Sequence, residues 1–561
     1  MGGVPSFDIE ALDWTEPIAV GFTDGEKYFE FLKRSEDTDV IWEFLSYIGE
    51  NCEGMGIFAH NAGGYDNKFI LDSLIKHKQK IKLEAGLGRV TWTDKDISFE
   101  DSMLVVGTGL ANLCKAFGIP RKLDWDHRTT KNIWELEHRL DSFRAYLQRD
   151  VTSLSRAMEE YCKMLIKSFA VTPSATLSLT AVKAFNKNFF KVSDIKSNEK
   201  FEPFIRRAMY AGRNEVYKRY GEDLNLYDIR SMYISCYDTP IPVGEMFWRK
   251  PKIEKGSIGY AWVEIPKDWK IGPLPYKLGN HLAFPVGTFP DWWDMVELRK
   301  AEEVGVNVKL IKQLECDEYP ILKEFGEYVS LLRYSSNPEL GKLYKLLGIR
   351  VSGKFGQHRW REEIAHSEDI EDFEGYTPID SSEVYHKKSV YLPGNKAPYC
   401  KPAVAMRIRA MARVRHLDFL LKSDPYYCDT DSIYTNAELP LGPKAGELQL
   451  VDKAQRAYFI RGKLYGYIDT KGILRQRAAG FRDFRLTEYD FQEMLEGKDV
   501  AYNTKPIGNW ADILNEQGLN KENIPRRVRG DHQLENRILD GRDTRPLVVT
   551  VKESKIEIEE K

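Results

Sequence analysis

The sequence predicts a multidomain chain in which α/β and α+β layers follow one another. Its 561 residues exceed what a single hydrophobic core usually organises. Short apolar strands that end in acidic residues occur near the N-terminus, near residue 228 and near residue 429. Between the last two, about residues 240–320 alternate Trp, Tyr, Ile and Val with Pro and Gly, which is typical of compact β structure.

The segment 427–432 reads YCDTDS, so Asp429 and Asp431 are separated by one residue on a predicted hairpin turn. Burying two like charges together is costly unless a cation neutralises them. A surface turn could hold the same residues for ordinary turn reasons. A further acid, Asp228 in the segment 226–233 (LYDIRSMY), ends an apolar strand and favours a metal site instead. Carboxylates are ligands that Mg²⁺ prefers, and two metal ions can assist an in-line phosphoryl displacement.

With these two segments the chain resembles the family B DNA polymerases, whose palm motifs A and C they match. The resemblance implies that Asp228 and Asp429 are metal ligands and that Asp431 is a supporting acid. It also implies that Tyr233 is the steric gate, a ring that would clash with a ribose 2′-hydroxyl and so select deoxynucleotides.

The cations for a triphosphate are predicted in the segment 331–347. Arg333 and Lys345 flank Ser336 and Asn337, either of which could cap a helix that Pro338 opens. Two helices joined by that turn would bring Arg333 and Lys345 to the same triphosphate-binding site. This matches the fingers of family B enzymes, and the resemblance implies triphosphate binding by both residues. Solvated helix charges are the alternative interpretation.

The same segment departs from the family. After the lysine, relatives usually read Leu-Leu-Asn-Ser-x-Tyr-Gly, whereas this chain has Ile349, Arg350 and Ser352 in place of Asn, Ser and Tyr. The missing ring would normally pack against the nascent base pair. We therefore expect looser base discrimination or an altered grip on the template, offset to some extent by Arg350.

Four acids near the N-terminus form a second group. Asp8 and Glu10 lie at alternate positions of the predicted strand 6–10 (SFDIE), so their side chains share one face. In this order and spacing they match the 3′–5′ proofreading exonuclease of family B polymerases, an RNase H-like fold, although each fragment alone is more often a solvated edge. The resemblance implies that two metal ions bind the carboxylates Asp8, Glu10, Asp66 and Asp150.

Further residues are expected to serve that exonuclease. Tyr146 lies one helical turn before Asp150 and can orient an attacking water. His60, Asn61 and Tyr65 would grip the frayed primer end by stacking and hydrogen bonding. Lys122 resembles a lysine that assists the reaction in the protein-primed branch of the family.

Two inserts indicate that branch, the phage and linear-plasmid polymerases that start on a terminal protein. In the branch such inserts contact the terminal protein and encircle DNA. Two short motifs also match: Tyr210 and Gly212, expected to contact the template, and Lys463 with Tyr465 beside it, expected to hold the primer terminus. Arg213 stands where the branch usually has a second Gly.

The resemblance implies an order of seven segments. They are an RNase H-like exonuclease (1–165), a first palm segment (166–239), insertion 1 (240–320), fingers (321–357), insertion 2 (358–397), a second palm segment (398–480), and thumb with a C-terminal tail (481–561). The tail is longer than expected for the branch, and its segments 526–529 and 540–546 have no assignment.

Composition adds little. The net charge of −3 does not indicate a DNA-binding protein, so any positively charged surface must be local. Basic stretches that could supply it lie in 206–219, 401–415 and 524–529. The seven cysteines lack a Cys-x-x-Cys pairing, which favours a reducing cytoplasm, that of the host cell for a viral protein. No apolar run approaches the roughly 18 residues of a membrane span.

Three functions compete on this sequence. The first is a terminal-protein-primed DNA polymerase with proofreading, replicating a phage or linear-element genome. The second is a family B polymerase that needs no primer, and the third is a nuclease with a decayed polymerase site. For the first we expect primer-template DNA, deoxynucleoside triphosphates and a terminal protein as partners, a monomer, and two Mg²⁺ per active site, with Mn²⁺ as the alternative.

Overall fold

The structure is a computed structural model. It describes residues 3–12, 15–120, 123, 125, 139–367, 370, 372–379, 385–479, 485–504, 509–514, 524–528, 536–541, 543–552 and 555–559. No helix among these residues combines the length and apolar character that a membrane crossing requires.

The N-terminal layer is a seven-stranded sheet in which β1 runs parallel to β4 and β4 parallel to β7. The strands are β1 (Ser6–Leu12), β2 (Glu16–Thr23), β3 (Tyr28–Leu32), β4 (Gly56–Ala59), β5 (Ile81–Glu84), β6 (Arg89–Trp92) and β7 (Ile97–Asp101), in the order β3-β2-β1-β4-β7-β6-β5. The helices are α1 (Val40–Asn51), α2 (Asp66–Lys76), α3 (Ser102–Val106), α4 (Leu110–Ala116) and α5 (Leu140–Phe169).

Strand β1 shows why this layer forms. Phe7 and Ile9 are buried in a core with α1 and α2. Because side chains alternate along a strand, Asp8 and Glu10 face the other way. On that side lies α5, whose apolar residues Phe143 and Leu147 pack against Ala19 of β2. The alternation thus places acids of β1 opposite those of α5.

The chain then enters the palm through α6 (Leu177–Asn188), α7 (Glu202–Ala208), β8 (Asn214–Val216), β9 (Tyr220–Ile229) and α8 (Met232–Ser235). The predicted β-rich insertion 1 follows. It contains β10 (Ile241–Pro242), β11 (Phe247–Arg249), β12 (Ile258–Ile265), β13 (Tyr276–Leu278), β14 (His281–Ala283), β15 (Val286–Asp294), α9 (Met295–Glu303), β16 (Asn307–Glu315) and β17 (Glu318–Tyr319).

The predicted fingers are a helical hairpin of α10 (Lys323–Ser335) and α11 (Pro338–Phe355). Asn337 caps α11, because its side chain accepts a hydrogen bond from Leu340 N at 2.9 Å and Pro338 opens the helix. A three-stranded sheet follows, with β18 (Trp360–His366), β19 (Thr377–Pro378) and β20 (Tyr385–Tyr391), and then α12 (Pro402–Leu420).

The palm sheet has seven strands in the order β25-β24-β23-β9-β22-β21-β8. It is completed by β21 (Tyr427–Asp429), β22 (Ser432–Thr435), β23 (Leu448–Arg461), β24 (Leu464–Asp469) and β25 (Leu474–Ala478). Its central strands therefore come from distant regions of the sequence, and their ends meet at one edge of the sheet.

The C-terminal region contains α13 (Glu488–Leu495), β26 (Val500–Thr504), α14 (Trp510–Leu514), β27 (Ile524–Val528), β28 (Arg537–Asp540), β29 (Asp543–Pro546), β30 (Val548–Lys552) and β31 (Lys555–Glu559). Ile513 and Leu514 of α14 are buried in the core of the N-terminal layer. Strands β30 and β31 join the sheet of insertion 1, in the order β11-β16-β12-β15-β30-β31. The sequence did not indicate that the tail returns to both regions.

Candidate active sites

The palm brings the three predicted carboxylates to one end of its sheet. Asp228 is the penultimate residue of β9 and lies opposite Ser432, and Asp429 ends β21, also opposite Ser432. Between them the turn bends sharply: Thr430 has a left-handed backbone, with φ 63°, and Asp431 N donates to Asp429 O at 2.7 Å. Ile229 N donates to Asp431 O at 2.9 Å, which fastens the turn to the end of β9.

Burial raises the pKa values of two of these carboxyl groups. Burial raises the pKa of Asp431 to about 6, and the neighbouring Asp228 carboxylate adds to the shift. Burial also raises the pKa of Asp228, against a hydrogen bond from Gln449 at 2.9 Å. Lys345 opposes both shifts, so its ammonium lies within electrostatic reach of the two carboxylates.

Two other predicted cations have partners of their own. Lys463 binds both carboxylate oxygens of Asp429, at 2.8 and 2.9 Å. Its backbone is left-handed, with φ 62°, and its N–H donates to the Tyr427 hydroxyl at 3.0 Å. Arg333 donates to the Ser231 hydroxyl, beside Tyr233, rather than to an acid. Lys345 and Lys463 thus flank the carboxylates.

Two tyrosines lie near these carboxylates: Tyr233, the predicted steric gate, and Tyr465. The pKa of Tyr233 is raised by burial, lowered by Arg409 and raised by Asp431, so its hydroxyl lies within electrostatic reach of both charges. Tyr465 packs against Tyr427 and Tyr434, with ring centroids 5.0 and 5.5 Å apart. The Tyr465 ring therefore supports the strand that carries Asp429.

In the altered motif B, the side chain of Tyr237 lies beside Ser352. Ser352 is buried in α11, and its hydroxyl donates to Ile349 O at 3.3 Å. The Tyr237 hydroxyl donates to Gly348 O at 2.7 Å and also hydrogen-bonds with the Ser352 side chain. The Tyr237 ring therefore takes space beside Ser352, and a tyrosine at position 352 would have to displace it.

The motif at 210–213 has a different position from the one expected. Tyr210 is fully buried in the core of insertion 1, and its hydroxyl donates to Trp292 O at 3.1 Å. Its ring cannot contact a template there, so the prediction for this side chain is corrected. Gly212 approaches Thr430, and a Cβ at this glycine would lie 3.0 Å from that side chain. Within the motif, exposed Ala211 and half-buried Gly212 face outward.

The basic stretch 401–415 is also less available to DNA than its charge suggests. Arg407 is buried in ion pairs with Asp294 and Glu318, both at 2.8 Å. Arg413 is buried against Glu297, also at 2.8 Å. These arginines fasten insertion 1 to α12 and are structural.

The N-terminal acids form a closer cluster. Carboxylate oxygens of Asp8, Glu10 and Asp150 lie within 4.8 Å of one another. Three acids held this close fit a divalent cation, because a cation would relieve their mutual repulsion. Asp66 stands behind them and accepts a hydrogen bond from Ile9 N at 3.0 Å. Burial and then Asp8 raise the pKa of Asp66 well above its usual range.

Tyr146 lies at the same cluster. Its buried hydroxyl donates to the Glu10 carboxylate, and burial together with Glu10 and Asp150 raises its pKa. A neutral hydroxyl beside acids can donate a hydrogen bond to a water, and the role predicted for Tyr146 stays a prediction. Lys122 lies outside the described residues.

The predicted primer-gripping loop is held by residues that the sequence did not indicate. Asp101 is buried at the end of β7, and its carboxylate accepts from Gly63 N at 3.1 Å and Met103 N at 2.9 Å. Backbone hydrogen bonds from Asn61 and Ala62 also oppose the burial that raises the pKa of Asp101.

The neighbouring serine holds the other end of the loop. The Ser102 hydroxyl lies 3.0 Å from His60 Nδ1 and donates to Ala59 O. Tyr65 packs edge-on against Phe69 at 5.1 Å. The available signal was an Asp-Ser pair at the end of strand β7, which runs parallel to β4.

Known proteins resemble the chain in sequence. A family model described as DNA polymerase type B, organellar and viral, matches residues 131–394. The probable DNA polymerase of Ascobolus immersus is 23% identical over 536 residues, and that of Podospora anserina 24% over 505 residues. The resemblance to the type B DNA polymerases is confirmed. These alignments cover 80% and 74% of this chain, which spans only 44% and 41% of those two relatives.

The solved structures agree on the fold. Phi29 DNA polymerase, in a complex with primer-template DNA and incoming nucleotide substrates, superposes with a TM-score of 0.67 over 90% of this chain and 97% of that one. At 16% identity this similarity shows the fold alone. The predicted fold class, an exonuclease layer followed by palm, fingers and thumb, is confirmed.

Proposed function

We propose that the chain is a DNA-directed DNA polymerase that extends a primer on a DNA template with deoxynucleoside triphosphates. The observation that supports this best is the meeting of Asp228 and Asp429 at one end of the palm sheet, where both lie opposite Ser432. Primer-template DNA and nucleotides occupy the phi29 polymerase of similar fold, which is consistent with those substrates.

Each residue has a defined role in this proposal. Asp228 and Asp429 would hold divalent ions, Mg²⁺ or alternatively Mn²⁺, which when bound neutralise charge on the attacking and leaving oxygens. Lys345 and Arg333 would bind the triphosphate, and Tyr233 would exclude the ribose 2′-hydroxyl. Lys463 would hold the primer phosphate once its ammonium has released the Asp429 carboxylate.

Primer extension tests this proposal directly. A labelled primer on a longer template is incubated with Mg²⁺ and deoxynucleotides, and the product length is read on a denaturing gel. We expect extension by the wild-type chain and by Asp424→Asn, an exposed acid near the same hairpin, and none by Asp429→Asn. Equal extension by all three proteins would refute the assignment.

We also propose a 3′–5′ exonuclease at Asp8, Glu10, Asp66 and Asp150. Their carboxylates would bind divalent ions, Tyr146 would orient the attacking water, and the loop with His60, Asn61 and Tyr65 would hold the unpaired primer end. The closeness of three of the acids supports this site. Progressive shortening of a single-stranded oligonucleotide with Mg²⁺ is the expected result.

Priming by a terminal protein is the remaining element of the proposal, for a monomer that copies a linear element in a reducing cytoplasm. It rests on the two inserts and on the fold shared with phi29 polymerase. We expect no synthesis on an unprimed single-stranded circle when only this chain is supplied. Product formed under those conditions would favour initiation without a primer instead.

A further inference from the structure

Strand β8 is the direct support of the hairpin that carries Asp429. It is the outermost strand of the palm sheet, and it pairs with β21 so that Asn214 lies opposite Asp429. Thr430 N donates to Arg213 O at 2.7 Å, which extends the contact to the tip of the hairpin. Any displacement of β8 therefore moves the Asp429 carboxylate.

The outer side of β8 is covered by the C-terminal residues 536–541 and 543–546. The Asn536 side chain donates to Asn214 O at 2.8 Å. The Thr544 hydroxyl donates to Val216 O at 2.7 Å, and Thr544 N donates to Tyr217 O at 2.9 Å. The tail thus satisfies carbonyls along the strand that an edge strand otherwise exposes.

A buried charge cluster joins the same two segments. Glu215 on β8 is fully buried and accepts from Arg213 at 3.0 Å and from Arg537 of the tail at 3.1 Å. Arg537 also donates to Lys270 O at 3.0 Å. A buried carboxylate requires such partners. The arginine at 213, unusual for the branch, and the unassigned tail therefore belong to one arrangement.

Beyond Thr544 the tail is anchored in insertion 1. Val548, Val549 and Thr550 pair in parallel with β15, and Val286 N donates to Leu547 O at 2.9 Å. Gly287 has φ 103°, and a Cβ there would lie 2.3 Å from Val549 O. The segment is thus fixed at one end by a sheet and at the other by β8.

We propose that residues 536–541 and 543–552 position the polymerase site, with Arg537 and Thr544 as the positioning residues. They hold β8, β8 holds the β21–β22 hairpin, and the hairpin keeps Asp429 at the end of the sheet where Asp228 also lies. This inference rests on the proposed polymerase function. Misplacing a reacting group by about 1 Å can cost on the order of a hundredfold in rate, so a loosened β8 lowers turnover before it lowers substrate binding.

The test compares two reactions of one protein. Variants Arg537→Ala and Thr544→Val are measured for single-nucleotide extension, as kcat and KM, and for shortening of a single-stranded oligonucleotide. Arg545→Ala is the matched control. This arginine lies on β29, which pairs with the strand of Arg537, and it makes no ion pair among the described residues. Arg537→Lys tests rescue. All assays are run below the melting temperature of each variant.

We expect kcat for extension to fall about tenfold or more in Arg537→Ala and about threefold in Thr544→Val. KM for the nucleotide and the exonuclease rate should stay within about twofold of wild type, and Arg537→Lys should recover some of the loss. If Arg537→Ala does not fold, Thr544→Val decides alone, since it keeps the side-chain shape.

Unchanged extension by the variants, beside an active wild type, overturns the positioning role. A parallel fall of extension and exonuclease rates also overturns it, because that pattern indicates general destabilisation. A wild-type chain that does not extend primers instead refutes the proposed function. The two failures are therefore distinguishable.

Discussion

The two groups of carboxylates in this chain are built in different ways. Three acids of the N-terminal group come from one strand and one long helix, and their carboxylate oxygens lie within 4.8 Å of one another. The palm group comes from distant strands, and its acids are interleaved with the lysines Lys345 and Lys463. The first group therefore places carboxylates against one another, whereas in the second group a lysine pairs with Asp429.

The largest expected effect breaks the N-terminal cluster. Replacing Asp8 by Ala removes one of three close carboxylates, and metal assistance contributes several kcal/mol to such reactions, so the exonuclease rate should fall about 10³-fold. Degradation of a labelled single strand measures it. The exposed Asp94→Ala variant should be unaffected, and a similar loss in both variants would contradict a specific site at Asp8.

The second expected effect concerns the palm, where one buried histidine makes the free energy of unfolding depend on pH. His416 is buried, and burial followed by the charge of Arg213 lowers its pKa to about 3. The unfolded chain takes up a proton below about pH 6.5 while the folded chain does not, so stability is lost as pH falls.

Between about pH 6.5 and 5 the loss amounts to about 2 kcal/mol. Calorimetric melting at the two pH values should show a smaller decrease in His416→Leu than in wild type. The same decrease in both proteins would show that other groups dominate the acid response of the palm.

A smaller effect is expected at the loop of the N-terminal site. Asp101→Asn keeps the shape but removes the charge that receives several backbone N–H groups, and such bonds contribute about 1.5–3 kcal/mol each when charged. We expect KM for a single-stranded oligonucleotide to rise about tenfold with a modest change in kcat. A fall in kcat alone would mean that Asp101 acts on the carboxylate cluster and not on the loop.

The smallest effect sharpens the comparison of the two sites. Lys463→Met removes the ammonium from Asp429, a half-exposed ion pair of about 0.2–1 kcal/mol, so the palm should bind Mn²⁺ about threefold more tightly. Mn²⁺ binding to an Asp8→Ala background, followed by electron paramagnetic resonance, isolates this site. Weaker binding in the variant would show that Lys463 does not compete with the ion.

Much of both sites was predictable because local rules determine it. Alternation along β1 placed Asp8 and Glu10 on one face, and helical spacing placed Tyr146 with Asp150. The Asn337–Pro338 signal correctly indicated where α11 begins. Charge without partners was a poorer guide: nothing local distinguishes buried Arg407 from an arginine that faces DNA, because its acids lie far earlier in the sequence.

Long-range pairing was not predictable for the same reason. Tyr210 fits a DNA-contacting motif, yet its ring fills the core of insertion 1. The tail strands complete a sheet that begins in insertion 1, and Arg537 meets Glu215 only in the folded chain. Sequence spacing gives no information about such partners.

The most direct test of two separate sites on one chain is a single gel with reciprocal variants. A 5′-labelled primer on a longer template is incubated with Mg²⁺, with and without deoxynucleotides, for wild type, Asp429→Ala and Asp8→Ala. We predict that Asp429→Ala loses extension and keeps shortening, and that Asp8→Ala loses shortening and keeps extension. Loss of both activities in either variant, or shortening without any extension by the wild type, would contradict two separate sites.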